Sequence, residues 1–269
     1  MSCYHPLEAA WIPGSGKKPL IYGKLQRPAV LANGYEALEL PCGQCIGCRR
    51  EKARVWASRM VHQADLHDDN AFVTLTYDDE HLPHGGSLVK HHVQDFLKRL
   101  RRKIEPRKIS YYYCGEYGST CPDHEVENCY YCGPIHRPHY HLILFNFQFP
   151  DKEDVGDRDG QIVYTSEMLS RLWKFGLHEI GSVTFDSCGY VAGYVLKKQT
   201  GARADEYYQK WSHELGALYS VEPEFARMSL RPAIGLAWYM MGGREDMYPS
   251  DEYPIPGRGV FGKPARYYD

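Results

Sequence analysis

Residues 137–145 read Arg-Pro-His-Tyr-His-Leu-Ile-Leu-Phe, and this stretch decides the expected fold. A β-strand sends alternate side chains to opposite faces, so His139 and His141 would share one face, about 6.5 to 7 Å apart along the strand. The apolar run 142–145 indicates a strand buried on both faces, which would hold the imidazoles rigidly. The pair predicts a metal site, although two histidines at this spacing also occur on the wet face of an ordinary strand.

Residues 188–199 read Cys-Gly-Tyr-Val-Ala-Gly-Tyr-Val-Leu-Lys-Lys-Gln and carry a second chemical signal. If they form a helix, Tyr190 and Tyr194 lie one turn apart on one face, and Lys197 follows on the same side. With 22 tyrosines in the chain, tyrosines buried as core are the ordinary alternative. A nearby metal favours a nucleophile, because a phenol attacks phosphorus only once its proton is lost and the phosphate charge is screened.

Three blocks follow one another in an informative order. They are Phe72-Val-Thr-Leu-Thr-Tyr77, Arg137-Pro-His-Tyr-His141 and Tyr190-x3-Tyr194-x2-Lys197-Lys198. In this order they resemble the three motifs of the HUH endonucleases that initiate rolling-circle DNA replication. The chain is most similar to the replication initiators of gokushoviruses, which are small single-stranded DNA phages of the microvirus type. That similarity extends to residues 41–49 and 225–232, whereas the insert at 119–136, with three cysteines, departs from the family pattern.

The resemblance implies a metal-dependent, site-specific single-strand DNA endonuclease and strand transferase. One tyrosine would attack the origin phosphate and form a 5′-phosphotyrosine link, with Mg²⁺ or Mn²⁺ held by His139 and His141 at the phosphate oxygens and Lys197 beside them. The free 3′-hydroxyl would prime a host polymerase, and the second tyrosine would permit the cut that ends one round of replication.

The expected partners are single-stranded origin DNA and the host helicase and polymerase. The phage-encoded protein is expected to be monomeric and to act in the cytoplasm of the bacterial host. A relaxase or transposase of the same superfamily is the alternative within enzymes. A zinc-stapled protein that binds single-stranded DNA without cutting it is the alternative of another class.

A metal at the histidine pair needs a third hard ligand, because Mg²⁺ demands octahedral oxygen-rich geometry and Mn²⁺ accepts mixed nitrogen and oxygen donors. Glu116 is the best candidate, since it ends a predicted strand that can pair beside the histidine strand. In similar initiators an acidic or polar residue from a neighbouring strand completes the pair. Asp78, Asp79 and Glu80 are competing acids just after the first strand.

The nine cysteines form two groups that suggest structural zinc. Cys42, Cys45 and Cys48 place three soft donors within seven residues, and tetrahedral zinc with a fourth ligand suits them. Because similar phage initiators also begin with an early cysteine, Cys3 is the first choice for the fourth ligand, with His5 as the alternative. The second group comprises Cys121, Cys129 and Cys132, with Cys114 or His124 as fourth donor. Cys188 is expected to be free and buried.

Charge and hydropathy limit the function without selecting it. The net charge of −2 does not indicate nucleic-acid binding, so any DNA surface must be a local basic patch. No apolar run approaches the 18 or so residues that span a bilayer, and the amino terminus does not resemble a signal peptide. Nine cysteines without an export signal favour metal sites in a reducing cytoplasm over disulfides.

Two predicted helices carry the basic patches. Seven cations fall within residues 98–108, and a second basic run follows the first cysteine group. Such runs are often plain solvated surface, but they also suit phosphate tracking. The predicted DNA-binding residues are Arg49, Arg50, Lys98, Arg99, Arg101, Arg102 and Lys198.

The element order predicts an α+β fold. Strands are expected at 71–77, 108–116, 139–147 and 177–185, with the histidine strand central. Ser87 would cap a helix through 104, and Ser166 would cap a second helix that Gly176 closes. We expect an antiparallel sheet of about five strands with helices on one side, which is the ferredoxin-like HUH nuclease palm that the resemblance implies, plus cysteine-rich zinc-stapled elements. The expected domains are a cysteine-rich arm and basic helix (1–65), an endonuclease core (66–215) and a C-terminal extension (216–269).

Overall fold

A computed structural model describes most of the chain. The described residues are 3–12, 14–16, 18–22, 32–118, 136–158, 160–199, 201–212, 216–243, 245, 250, 252–255 and 260–265. Contacts divide the chain into two compact units, Met1–Lys52 and Ala53–Asp269. Within the described ranges, no helix is both long and apolar enough to cross a lipid bilayer.

The described residues form short strands and helices in alternation. In chain order these are β1 (Leu7–Trp11), β2 (Leu20–Ile21), β3 (Glu36–Leu40), α1 (Ile46–Ala64), β4 (Asn70–Thr76), a 3₁₀ turn (His84–Gly86), α2 (Lys90–Ile104), β5 (Ser110–Tyr117), β6 (Pro138–Phe145), β7 (Lys152–Arg158), β8 (Gln161–Ser166), α3 (Glu167–Leu172), β9 (His178–Gly181), α4 (Phe185–Lys197), α5 (Ala202–Tyr207), β10 (Gln209–Ser212), β11 (Ala217–Ser220), β12 (Phe225–Met228), α6 (Leu236–Trp238), a π turn (Tyr239–Gly243), β13 (Tyr253–Ile255) and β14 (Val260–Gly262).

The first unit is built on a small antiparallel sheet in the order β2–β1–β3. Ala9 at its centre faces Ile21 on one side and Leu38 on the other, and is fully buried. The cysteine turn then leads into α1, which begins at Ile46 as the sequence predicted for a helix after the cysteines.

The second unit is built on a seven-stranded sheet in the order β12–β5–β6–β4–β9–β8–β7, with every adjacent pair antiparallel. The α+β class with a large antiparallel sheet is confirmed, and the histidine strand β6 lies inside it between β5 and β4. The expected count of about five strands was too low. The hairpin β7–β8 adds two strands whose charged, exposed residues lack a buried pattern, and β12 adds an edge strand from the predicted C-terminal extension.

Helices cover both faces of this sheet. On one face, Leu142 and Leu144 belong to the buried cluster that contains the apolar residues of α2 and α3. On the other face, Ile143 and Phe145 pack with α1 and α4. The expectation of helices on one side was wrong, because β6 is apolar at both parities and each parity needs a cover.

The predicted starts of two helices had different outcomes. Ser166 caps α3 as predicted, since its Oγ accepts the N–H of Leu169 at 3.1 Å. Ser87 does not cap α2, which begins at Lys90 without a side-chain cap. The Ser87 hydroxyl instead accepts the backbone N–H of Glu222 at 3.0 Å, a long-range contact that competes with the local cap.

Gly176 does not close α3, which ends four residues earlier at Leu172. Gly176 has φ +131°, and a Cβ there would lie 2.2 Å from the backbone nitrogen of Asp78. That nitrogen donates to the carbonyl of Phe175 at 3.0 Å. The glycine therefore permits two backbone segments to approach each other beside the end of β4.

We expect Gly176→Ala to destabilise the chain more than Gly156→Ala, as measured by urea unfolding. Both glycines have a φ near +130°, so either alanine costs about 1–3 kcal/mol of backbone strain. Only at Gly176 does the added methyl meet backbone atoms, whereas nothing lies within 4 Å at Gly156. Overpacking should add about 1–3 kcal/mol to the first variant alone. Equal losses in the two variants would contradict this account of the close approach.

Candidate metal centre and tyrosine helix

Strand pairing delivers a carboxylate to the two histidines. In the β5–β6 ladder Glu116 is opposite His139, and Cys114 is opposite His141. Residues directly opposite in an antiparallel pair point to the same face. All four side chains therefore lie on the sheet face that α1 and α4 cover.

The Glu116, His139 and His141 side chains converge on one point. The Nε2 atoms of His139 and His141 lie 2.6 and 3.1 Å from the same carboxylate oxygen, Oε1 of Glu116. One ligand atom from each residue falls within 4.8 Å of the others. Glu116 is 1% exposed, whereas the side chain of His139 is 18% exposed, so this Glu–His–His cluster opens to solvent on the His139 side.

The outer nitrogens of both rings are held by partners. Nδ1 of His139 lies 3.1 Å from the carbonyl oxygen of Arg137, and Nδ1 of His141 lies 3.0 Å from Oγ1 of Thr74. A carbonyl only accepts, so Nδ1 of His139 carries hydrogen and a neutral ring presents its Nε2 lone pair to Glu116. A bound cation or a protonated imidazole resolves this meeting of two lone-pair donors. Such outer partners are typical of metal-ligating histidines.

The donor set of two imidazoles and one carboxylate fits a divalent cation that accepts mixed ligands, such as Mn²⁺, or Mg²⁺ with further oxygen ligands. Burial alone would raise the pKa of Glu116, but hydrogen bonds from the two histidines outweigh it and lower the pKa to about 2. Burial lowers the pKa of His141 despite its bond to Glu116. An ionised carboxylate beside a neutral imidazole is the state in which both groups can bind a metal.

Helix α4 carries the two tyrosines to this cluster. Thr184 and Ser187 form a reciprocal capping box at its start, and the prediction of a helix here is confirmed. Its face with Cys188, Val191 and Ala192 is fully buried against the sheet. That packing fixes the rotation of the helix.

The two tyrosine rings contact the same histidine. The ring centroids of Tyr190 and Tyr194 lie 5.0 and 5.4 Å from that of His141, and 5.2 Å from each other. Tyr194 lies parallel to the imidazole at 3°, whereas Tyr190 meets it edge-on at 81°. The structure thus brings together the histidine pair and the tyrosine pair that the sequence singled out.

The tyrosines differ in access. Tyr190 is 49% exposed and Tyr194 only 4%. Burial, and then the negative charge of Glu116, raises the pKa of Tyr190 to about 12, and the same two causes raise the pKa of Tyr194 further. Ionisation of either phenol therefore requires added positive charge nearby.

Lys197 connects the helix to the carboxylate. Its Nζ lies 3.0 Å from Oε2 of Glu116, the oxygen that the histidines leave open, and 5.1 Å from the ring centre of Tyr194. The side chain is 48% exposed, so the ammonium can also reach a ligand in solvent.

The first cysteine group forms a compact cluster within the first unit. The Sγ atoms of Cys42 and Cys48 lie 4.0 Å apart, and those of Cys3 and Cys45 lie 3.9 Å apart. Sulfurs around tetrahedral zinc, with bonds of about 2.3 Å, lie roughly 3.8 Å apart. A disulfide would need about 2.05 Å, and the six described cysteines are free thiols. The structure brings Cys3, rather than His5, to the other three.

Backbone N–H groups point at two of these sulfurs. Hydrogen bonds from the N–H of Tyr4 and then of Cys48 lower the pKa of Cys45 to about 6. The N–H of Cys42 lowers the pKa of Cys3 in the same way. Both effects favour the thiolate, which is the form that binds a metal.

Cys121, Cys129, Cys132 and His124 of the second group lie outside the described residues. Cys114, which we assigned to that group, is fully buried on β5, and its Sγ lies 3.8 Å from the carbonyl oxygen of His141. Burial raises the pKa of this thiol well above its ordinary value. Cys188 is a free, buried cysteine, as expected.

The competing acids bind elsewhere. Asp78 accepts from Nδ1 of His81 at 2.8 Å, and Asp79 pairs with the guanidinium of Arg137. Neither belongs to the Glu–His–His cluster, nor does Glu80. Sequence reasoning missed Thr74 as a partner of His141. The alternation of β4 held the signal, because Thr74 sits on the same face once β4 is paired with β6.

The structure does not bring the basic residues of α2 to the cluster. Helix α2 covers the opposite face of the sheet, where Val93, Phe96, Leu97 and Leu100 are buried. Arg99 donates to the carbonyl of Leu172 at 3.0 and 2.8 Å, so its guanidinium has a structural contact.

The other predicted DNA-binding residues lie in three places. Lys98 pairs with Asp95 at 2.9 Å, Arg101 stands 5.0 Å over the ring of Tyr111, and Arg102 is exposed, all on α2. Lys198 follows the last residue of α4, close to the tyrosines in sequence. The remaining two are Arg49 and Arg50, in the part of α1 within the first unit.

Known proteins similar to this chain come from phages. Residues 70–199 match the family described as replication-associated protein ORF2. The chain is 36% identical to replication-associated protein VP4 of Bdellovibrio phage phiMH2K over 206 residues, which are 74% of this chain and 58% of that protein. It is 33% identical to replication-associated protein ORF2 of Spiroplasma virus 4, over 95% of this chain and 74% of that protein.

Replication-associated protein ORF4 of Chlamydia phage 1 is 31% identical over 59% of this chain and 38% of that protein. The chain therefore spans less than two thirds of the phiMH2K and Chlamydia phage 1 proteins. No solved structure matches it significantly.

We expect Thr74→Val to lower the affinity for Mn²⁺ by about 10-fold, as measured by calorimetric titration of the whole chain. The change keeps the shape of the side chain but removes the hydroxyl that holds Nδ1 of His141. Thr76→Val is the matched control, because Thr76 is opposite His139, whose Nδ1 bonds the Arg137 carbonyl instead. If both variants bind Mn²⁺ as tightly as the wild type, Thr74 does not orient a metal ligand.

Proposed function

The chain belongs to the ORF2 family of phage replication-associated proteins, and on that premise we propose that it is a replication initiator that nicks single-stranded origin DNA through a tyrosine nucleophile. The contact of both tyrosine rings with His141 carries the proposal. It places two phenols directly at a Glu–His–His cluster suited to a divalent cation. A buried core helix would not need an exposed tyrosine and a lysine at the same point.

Each residue has a stated part in the proposed reaction. Mg²⁺ or Mn²⁺ held by Glu116, His139 and His141 would supply positive charge at the phosphate oxygens and favour the phenolate. Oη of Tyr190 attacks the phosphorus, the Oη–P bond forms, and the bond to the 3′-oxygen breaks. The 3′-oxygen leaves with a proton as a free hydroxyl, and the 5′-phosphate stays on tyrosine. Lys197 stabilises the charge that develops on the phosphate.

Exposure assigns the first cut to Tyr190, because its hydroxyl can meet DNA without movement of the helix. Tyr194 would then make the second transfer, which releases the product strand without water attacking either bond. The free 3′-hydroxyl would prime a host polymerase, with the host helicase as a further partner. On this proposal the protein works in the cytoplasm of the infected bacterium.

The fold supports the same proposal. The histidine strand lies inside an antiparallel sheet, and the tyrosine helix packs on the face that carries the histidines. This is the relation of elements expected of an HUH nuclease palm. The names of the relatives refer to replication, which supports an initiator rather than a relaxase or transposase.

A structural zinc in the cysteine cluster is part of the proposal. Four thiols at tetrahedral spacing, two of them with lowered pKa values, are a donor set that zinc prefers. Its role would be to fix the cysteine turn at the start of α1.

We expect purified chain, prepared without chelators, to contain at least one zinc, as measured by elemental analysis. Cys45→Ser should lose about one zinc per chain, because three thiolates hold the ion far less tightly. Cys188→Ser is the control, since it removes a buried thiol outside the cluster and should keep the full zinc content. A wild-type chain with less than one zinc would exclude a zinc site at these cysteines.

We expect wild-type protein, incubated with single-stranded origin DNA and Mn²⁺, to form a covalent adduct that survives boiling in detergent. The double variant Tyr190→Phe, Tyr194→Phe should form none, because each change removes only the attacking oxygen and the fold remains. Tyr190→Phe alone should lose the first adduct, whereas Tyr194→Phe should form it at close to the wild-type rate.

Tyr164→Phe on β8 is the control and should behave as the wild type. Binding of origin DNA without any adduct would favour the non-enzymatic alternative. An adduct that persists in the double variant would place the nucleophile at another tyrosine.

A further inference from the structure

Two buried residues join the end of α4 to the edge of the sheet. The backbone N–H of Gln199 donates to Oη of Tyr208 at 3.0 Å. The same hydroxyl donates to Oε2 of Glu224. Tyr208 is 4% exposed and Glu224 3%. No sequence motif of the predicted site includes either residue.

The contact is made where the helix ends. Helix α4 ends at Lys197, two residues before Gln199, and the N–H of Lys198 still bonds the carbonyl of Tyr194 at 3.3 Å. Tyr194 and Lys197 both lie in this last turn. Tyr208 therefore bonds the segment directly after the residues that face Glu116.

The other end of the contact lies on a rigid element. Glu224 immediately precedes Phe225, which is opposite Gly115 in the pairing of β12 with β5. Continuing this register by one residue places Glu224 level with Glu116. The acceptor of the hydrogen bond and the carboxylate of the metal cluster are thus set by one ladder.

Tyr208 is itself held by its backbone. Its N–H bonds the carbonyl of Ala204, and its carbonyl accepts the N–H of Val221 at 2.8 Å. A buried carboxylate such as Glu224 is costly without a donor, and a hydrogen bond to a charged acceptor is stronger than a neutral one. The arrangement is therefore a defined two-bond bridge rather than an incidental contact.

We propose that Tyr208 and Glu224 are positioning residues that hold the last turn of α4, with Tyr194 and Lys197, over the Glu–His–His cluster. The inference rests on the proposed nicking function. Neither residue touches the reacting atoms; they act through the backbone of Gln199. Loss of the bridge should slow the chemical step and leave DNA binding unchanged.

The test measures the rate of adduct formation with Mn²⁺ over a range of DNA concentrations. Tyr208→Phe should lower the rate at saturating DNA by about 10- to 100-fold, the effect of a small misplacement of reacting groups. The DNA concentration that gives half the maximal rate should not change. In the same variant, amide hydrogen exchange at residues 197–199 should become faster.

The matched control is Tyr77→Phe. The Tyr77 hydroxyl is also buried and bonded twice, to Nδ1 of His92 at 2.7 Å and to Oη of Tyr140 at 2.8 Å, on the opposite face of the sheet. Its loss should lower the melting temperature by a similar amount, with the wild-type rate of adduct formation kept. This separates positioning from general stability.

Glu224→Gln and Glu224→Ala form a second pair, which decides the question if Tyr208→Phe does not fold. The amide carbonyl of glutamine can still accept from Tyr208, so Glu224→Gln should keep most of the rate, whereas Glu224→Ala should be as slow as Tyr208→Phe. Rates equal to that of Tyr77→Phe in all these variants would overturn the positioning role. Absence of any adduct from the wild type would instead overturn the proposed function on which it rests.

Discussion

The register between β5 and β6 is the constraint on which the site depends. It sets Glu116 opposite His139 on the face that α4 covers. A slip of one residue would turn the carboxylate to the opposite face, beside the tyrosines of the α2 core, and leave two histidines without a third ligand. Apolar residues at both parities of β6 prevent that slip, because each must keep its own helix cover.

The buried carboxylate governs the electrostatics of the site. Glu116 would be costly to bury alone, but two imidazoles and one ammonium bond its two oxygens. The same negative charge opposes ionisation of Tyr190 and Tyr194. A phenol can therefore become a nucleophile here only when positive charge exceeds that of the carboxylate, and this makes the cluster and the tyrosines chemically interdependent.

Local patterns in the sequence predicted the groups that carry the chemistry, and long-range pairing decided what they missed. A period of two placed both histidines on one face, and a period of 3.6 placed Tyr190, Tyr194 and Lys197 on one side of a helix. Glu116 required only that neighbouring predicted strands pair. By contrast, β12 and the Tyr208–Glu224 bridge join segments far apart in sequence, which no local pattern reports. The helices on both faces were implied by 142–145, but the ferredoxin-like expectation overrode that signal.

The position of the basic helix limits how DNA can reach the tyrosines. The cations of α2 lie on the face opposite the Glu–His–His cluster, so they cannot contact the phosphate that is attacked. Phosphate contacts there must come from groups on the cluster's own face, of which Lys197 is in place and Tyr190 offers an exposed ring for stacking. The α2 cations can bind only flanking DNA that passes around the sheet. Their removal would then weaken overall affinity without changing which phosphate meets Tyr190.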